Sequence, residues 1–234
     1  MSTNRSRRDV LKLIGVTGAV FVASEAYAAL SGEDSVEAAS SIAPLLRYYS
    51  ADARNNVVVK NKRRAMLSSH VYPKATFVLY DLAEKMLGVA RARFGNHSQQ
   101  FEYVVGDYRK IQGQEKYDLV ISSLSIHHLE DKEKHALFGN IHTLLRKGGI
   151  FINIDQIRGE TPHLRELYWN HWLAQVRRAG FSEERIQESI GRRIPYDRDA
   201  LLEDQLQWLK SSGFGDVDCV YKNFFVGVFL ATKE

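Results

Sequence analysis

The 234-residue chain has one cysteine, Cys219, only four prolines, and no glycine between Gly32 and Gly88. A single thiol excludes an intramolecular disulfide framework and a cysteine zinc cage. Its place in an alternating strand pattern makes it a buried, inert residue. Few prolines, with 44% hydrophobic and 26% charged residues, fit an ordinary soluble domain able to bury a core. A membrane-spanning run is also missing: the stretch Val10–Ala23 is too short for a stable bilayer-crossing helix. The net charge of +4 sits in the first third, in RSRR (5–8) and KNKRR (60–64). The remainder is near neutral, so no nucleic-acid-binding field is expected over the main body. A five-residue basic run is more often a solvated face. Oligomeric state leaves no trace in the sequence.

Residues 5–29, RSRRDVLKLIGVTGAVFVASEAYAA, combine a basic start, an apolar run and the A-x-A pattern Ala26-Tyr27-Ala28. The pair Arg7-Arg8 resembles a twin-arginine export signal, which a receptor reads and which does not anchor the protein. On that reading residues 1–28 are a signal segment and the protein is exported. The alternative is an amphipathic N-terminal helix on a cytoplasmic protein. Residues 29–56 are small and polar and read as a linker or a weak helix.

From residue 57 strand-like and helix-like segments alternate. Val57–Val59 and Thr76–Tyr80 are strand candidates, and Leu82–Phe94 has an apolar stripe at helical spacing. Phe101–Val105 is a strand closed by Gly106-Asp107. Tyr117–Ser122 is nearly continuous in apolar residues, as a parallel strand covered on both faces requires. A helix over about 131–145 is expected to end at Lys147-Gly148-Gly149, followed by a strand at Ile150–Ile154. Residues 158–195 read as a helical insertion rich in arginine and aromatics. Ala200–Ser211 is an amphipathic helix capped by Gly213, and Val217–Tyr221 with Phe225–Ala231 form a hairpin. The expected fold is α/β: a Rossmann-like, doubly wound, mostly parallel sheet over 57–234, with a C-terminal antiparallel hairpin and a helical lid at 158–195.

Four spaced signatures line up: FVLYDLAEKML ending a strand at Asp81, Gly106-Asp107-Tyr108, YDLVISSLSIHHLED, and LLRKGGIFIN. Together with the hairpin they resemble the class I S-adenosylmethionine-dependent methyltransferases of the small-molecule type with a helical lid. The resemblance covers about residues 71–234. It implies a cofactor, S-adenosylmethionine, and a small-molecule substrate. Asp81 would accept the ribose hydroxyls, with Leu82 and Met86 flanking the adenine. Asp107 would take the adenine amino group, with Gly106 and Tyr108 beside it. Ser122 and Ser123 would face the methionine portion. His127 and His128 would lie near the transferred methyl, to orient a substrate or accept its proton. Tyr168, Trp169 and Trp172 would line a cavity under the lid, and Arg158, Arg165, Arg192 and Arg193 could meet an acidic substrate.

Bland readings stand beside these. Asp81 could simply cap a helix, Asp107 could belong to an ordinary turn, and the aromatic stripe could pack the lid onto the domain. His127, Asp131 and His135 recur every four residues, a spacing common on solvated helices, and no metal is expected. The family's glycine-rich turn should fall at Val57–Arg63, where the sequence reads VVVKNKR. Side chains there would crowd the cofactor. The sequence therefore leaves two functions open: an active methyltransferase, or a ligand-binding protein of the same shape without turnover.

Overall fold

Successive residues of the central strands divide between two apolar layers. Leu119 and Ile121 join one layer with Ile150, Ile152 and Ile154, while Val120 and Phe151 join the other. Phe77 and Leu79 against Val78, and Val228 and Leu230 against Phe229, repeat the division. Strands apolar on both faces need cover on both sides, the situation of an inner parallel sheet. The computed structural model describes residues 56–60, 76–94 and 100–234. The signal-like segment, nearly all of the linker, and residues 61–63 of the glycine-free turn lie outside them.

In chain order the elements are β1 (Asn56–Lys60), β2 (Thr76–Asp81), α1 (Glu84–Phe94), β3 (Phe101–Val105), β4 (Tyr117–Ser123), α2 (Asp131–Leu144) and β5 (Leu145–Arg158). Then come α3 (Pro162–Arg178), α4 (Glu183–Tyr196), β6 (Ala200–Leu201), α5 (Leu202–Ser211), β7 (Val217–Asn223) and β8 (Val226–Thr232). The sheet order is β3-β2-β1-β4-β5-β8-β7, with the short β6 pairing β5. Strands β1 to β5 are parallel, and β8 runs antiparallel to both β5 and β7. The expected doubly wound sheet with a closing hairpin is the observed one. The strand order reverses between β1 and β4, and a sheet of this kind opens a crevice outside the carboxyl ends at that point.

Helix α1 buries Leu87 and Ala90 against one layer. On the opposite face α2 contributes Phe138, Ile141 and Leu144, and α5 contributes Leu209. Each leucine, isoleucine or phenylalanine among these, fully buried, stabilises the fold by roughly 1.5–3 kcal/mol. Among the described residues no helix is long and apolar enough to cross a membrane.

The strand read as Ile150–Ile154 runs from Leu145 to Arg158, the helix read as Ala200–Ser211 starts at Leu202 after β6, and three further boundaries differ for reasons the contacts show. Helix α1 begins at Glu84 and not at Leu82, because the Asp81 carboxylate accepts the Ala83 N–H at 2.9 Å and turns the chain first. Helix α2 stops at Leu144, so Gly148-Gly149 is not its cap. Leu145 is already buried and paired with Tyr117, and regular pairing resumes only at Leu119 with Ile150. Gly148, at φ +74, lies in that irregular stretch. The 158–195 insertion is two helices, α3 and α4, broken at Gly180, whose φ of +84 favours glycine. Thr161 caps α3 through the Leu164 N–H, with Pro162 in the first turn.

Candidate active site

The carboxyl ends of β2, β3 and β4 bring most of the expected cofactor residues to one edge. Asp81 and Val105 are register partners at the ends of β2 and β3, and the Gly106 N–H donates to the Asp81 carbonyl at 3.0 Å. The Oδ1 of Asp81 holds the Ala83 N–H, so the capping reading is realised, while Oδ2 has no hydrogen-bond partner among the described residues. Leu82, Met86 and Val105 are 66%, 47% and 51% exposed beside it. Three large apolar side chains left in water at the rim of a crevice are what a flat ligand would cover. Gly106 is required for packing: a Cβ there would run into the Tyr80 ring and hydroxyl.

Asp107 caps the short helical turn Tyr108–Lys110 and grips Arg109 with both carboxylate oxygens, at 2.6–3.0 Å. Hydrogen bonding to Arg109 holds its carboxyl below the usual range. An adenine amino group would have to share that carboxylate with a guanidinium. Tyr108 donates its hydroxyl hydrogen to the Ser125 carbonyl at 3.2 Å and ties the β3 turn to the β4 turn. Ser122 and Ser123 are both buried. The Ser122 hydroxyl and both amide atoms of Asn153, its register partner on β5, have no hydrogen-bond partner among the described residues.

The two histidines separate. His127 is 4% exposed, and its Nδ1 lies 2.5 Å from Asp155 Oδ1, while its backbone N–H donates to Oδ2 of the same carboxylate at 3.0 Å. On the other side Nε2 faces Gln156 Nε2 at 3.0 Å and Asp197 Oδ1 at 3.5 Å. Burial opposes the imidazolium charge, but the Asp155 and Asp197 carboxylates outweigh it and raise the pKa to about 9. Asp197 is disfavoured by burial too, yet His127, His128 and Arg193 hold it well below the carboxylate range. Both ring nitrogens of His127 are thus taken up by neighbouring groups, and neither is free to meet a substrate. His128 is half-exposed, with Nδ1 3.2 Å from Asp197 Oδ1.

This network straps the end of the lid to the sheet. The Arg198 N–H donates to the His127 carbonyl at 2.8 Å, buried Lys134 donates to the Arg198 carbonyl, and the Arg198 side chain pairs with Glu130 at 3.1 Å. A pH effect follows. A histidine with pKa about 9 in the fold and about 6.5 unfolded favours the folded state in its protonated form. That contribution is complete below about pH 6.5, is lost as pH rises through about 9, and amounts to about 3 kcal/mol. Thermal melts between pH 6 and 10 should show a falling midpoint, and His127→Gln should flatten the slope.

The spacing His127, Asp131 and His135 does not converge. Asp131 pairs with Lys134 at 2.7 Å, and His135 meets Ser211 and Trp208 on α5. His127, His128 and Asp197 do place one ligand-type atom each within 4.8 Å of one another. A metal there would have to displace the proton that two carboxylates hold on His127.

Beneath α3 and α4 lies a cavity of about 430 Å³ at the carboxyl end of β5, lined in part by Tyr168, Trp169, Trp172 and Phe225. The expected lid residues therefore do face a cavity. They also pack the lid, since Trp169 and Trp172 lie 5.1 Å apart and join a cluster with Val176 and Ile186. Both readings of the stripe hold at once. Arg193 crosses the floor between Trp169 and Phe225, 5.9 and 5.3 Å from their ring centres, and pairs with Asp199. Burial pushes the Asp199 carboxyl up. Sequence reasoning missed Asp155, Gln156, Asp197 and Asp199. The signal for Asp155 was present as the one acidic residue in the strand run FINIDQI, directly after the apolar Ile154.

Residues 62–149 match the family described as "Methyltransferase domain". Over 160 residues the chain is 24% identical to a carboxy-S-adenosyl-L-methionine synthase of Methylococcus capsulatus, a match covering 65% of this chain and 64% of that relative. The chain thus spans less than two thirds of that relative's length. Among solved structures, a putative methyltransferase of Bacillus halodurans superposes with a TM-score of 0.57 at 19% identity, over 82% of this chain and 95% of that one. Human N-acetylserotonin methyltransferase in complex with S-adenosylmethionine superposes with a TM-score of 0.52 at 18% identity, over 97% of this chain and 70% of that one. At these identities the structural likeness establishes the fold.

Proposed function

We propose that this chain, a class I S-adenosylmethionine-dependent methyltransferase by fold and by family match, transfers a methyl group to a small molecule held under its helical lid. The observation that carries the reading is the adjacency of two unlike sites on one sheet edge. An apolar rim beside Asp81 lies at the ends of β2 and β3, and an aromatic cavity lies at the end of β5, on opposite sides of the strand-order reversal.

The rim fits an adenosine. Asp81 keeps Oδ2 for ribose hydroxyls, Leu82 and Met86 offer exposed apolar surface to a base, and Tyr108 backs the neighbouring turn. Ser122 brings a buried, unpartnered hydroxyl to the carboxyl end of β4, with Ser123 next to it. Asp107 fits less simply, because Arg109 already occupies it. When bound, S-adenosylmethionine supplies an activated methyl whose transfer leaves a thioether and releases one proton from the acceptor.

The protein's own work is alignment and exclusion of water. The lid helices close the cavity, and the Asp155–His127–Asp197 chain fixes where the lid ends. His128, half-exposed and held by the cavity residue Asp197, is our candidate to take the acceptor's proton, an arrangement in which a carboxylate orients an imidazole. His127 positions Asp197 and does not itself exchange protons with a substrate.

Isothermal titration with S-adenosylhomocysteine tests the reading. Saturable binding by the wild type is expected, and Asp81→Ala should weaken it ten- to a hundredfold, about 1–3 kcal/mol for a hydrogen bond to a charged group. Absence of heat from the folded wild type would leave a ligand-binding protein without turnover as the better description. The same affinity in Asp81→Ala would remove Asp81 from the site.

A further inference from the structure

The cavity has a charge imbalance of its own. Its acidic groups already have ion-pair partners: Asp197 in His127 and His128, and Asp199, through one of its two carboxylate oxygens, in Arg193. Of its arginines, Arg193 is matched by Asp199 and Arg198 by Glu130. Arg158 and Arg165 are left. Arg158, at the last position of β5, has no hydrogen-bond or ion-pair partner among the described residues. Arg165, in the first turn of α3, donates among the described residues only to main-chain carbonyls, to Gly159 at 3.1 Å and Glu160 at 3.5 Å.

The two arginines leave the same corner. A Cβ on Gly159 would stand 2.7 Å from the Arg165 nitrogen and 3.1 Å from its Cα, so the chain after Arg158 packs directly on the backbone of Arg165. Both line the cavity, beside Tyr168, Trp169, Trp172 and Phe225. A guanidinium is planar, permanently charged, and matched to a carboxylate through paired N–H donors. In a recess partly shielded by indole rings an unmatched pair of such groups attracts an anion more strongly than on open surface.

We infer that the lid cavity selects an aromatic carboxylate, its ring against Trp169 and Trp172 and its carboxylate between Arg158 and Arg165. This rests on the methyl-transfer reading only for calling the ligand a substrate. The recognition itself depends on the cavity alone. Exposed arginines on a solvated face would be the competing account, and they would show no preference between an acid and its neutral isostere.

The test is tryptophan fluorescence of the full chain titrated with 4-hydroxybenzoate and 6-hydroxy-2-naphthoate, each against its carboxamide, with and without S-adenosylhomocysteine. At low salt at least one acid should bind about tenfold or more tighter than its amide, with the advantage shrinking as salt rises. Arg158→Gln and Arg165→Gln should each reduce acid binding about tenfold or more and leave amide binding unchanged. Both arginines are exposed, so the variants are expected to fold, and circular dichroism checks this. Amides binding as well as acids, or acids binding the Gln variants as well as the wild type, would overturn the assignment. Acids that bind with the predicted preference to a protein that ignores S-adenosylhomocysteine would uphold the anion site and sink the methyl-transfer reading instead.

Discussion

His127→Ala is expected to cost about 3–5 kcal/mol of stability, the range for removing one partner of a buried ion pair. Asp155 is 1% exposed and donates nothing; it can only accept. With the imidazole gone it keeps the backbone N–H bonds of residue 127 and Gln156 but loses the one ion-pair partner it has among the described residues. Asp197 loses a partner in the same change, and with it part of the bond between lid and sheet. Chemical denaturation should show a lower midpoint with a similar slope, and proteolysis should become faster within 158–199 before it does in the sheet. A buried neutral histidine would give a different pattern. Asp155→Asn would then be tolerated, and stability would not fall between pH 6.5 and 9.

His128→Ala is expected to act on the reaction and leave the fold alone. The residue is half-exposed, its contact with Asp197 is shared with a better-buried neighbour, and its removal strips no buried group of its last partner. A positioned general base contributes about 10²–10⁴-fold to rate. We therefore expect kcat for methylation of an aromatic acid to drop by about that factor, with S-adenosylhomocysteine affinity and the melting midpoint unchanged. The pH profile separates the roles, because loss of a base removes a limb of the profile, whereas a misplaced substrate lowers the whole curve. A fall in KM-related binding with kcat preserved would make His128 a substrate contact only.

Much of the sheet was legible because burial on both faces leaves a coarse mark. Residues 119–121 and 150–152 are apolar at consecutive positions, and turns with glycine or aspartate punctuate the strands. Asp81 and Gly106-Asp107 could be placed at one edge from the same alternation, since parallel strands all end on one side. The end of α2 was misread because Gly148-Gly149 offers a helix cap in sequence. What decides otherwise is Leu145, which is pulled into the core and into pairing with Tyr117. The roles of the two histidines were not separable from sequence. They differ through Asp155, in the next strand, and Asp197, some seventy residues along, neither of which a local pattern connects to them. The Asp107–Arg109 grip was within reach, being two residues apart, and went unread because the turn was considered without its flanking charge. Of the glycine-free stretch at 57–63, only residues 57–60 are described, as part of β1, a strand lying between β2 and β4.

The account stands on one spatial claim, that a nucleoside-bearing cofactor lies across the ends of β2, β3 and β4. Hydrogen exchange followed by mass spectrometry, with and without saturating S-adenosylhomocysteine, addresses it directly. Slowed exchange is predicted in three separate segments, Asp81–Leu87, Gly106–Arg109 and Ser122–His128, with little change in β7 and β8. Binding accompanied by protection elsewhere, or by none in those three segments, would contradict it.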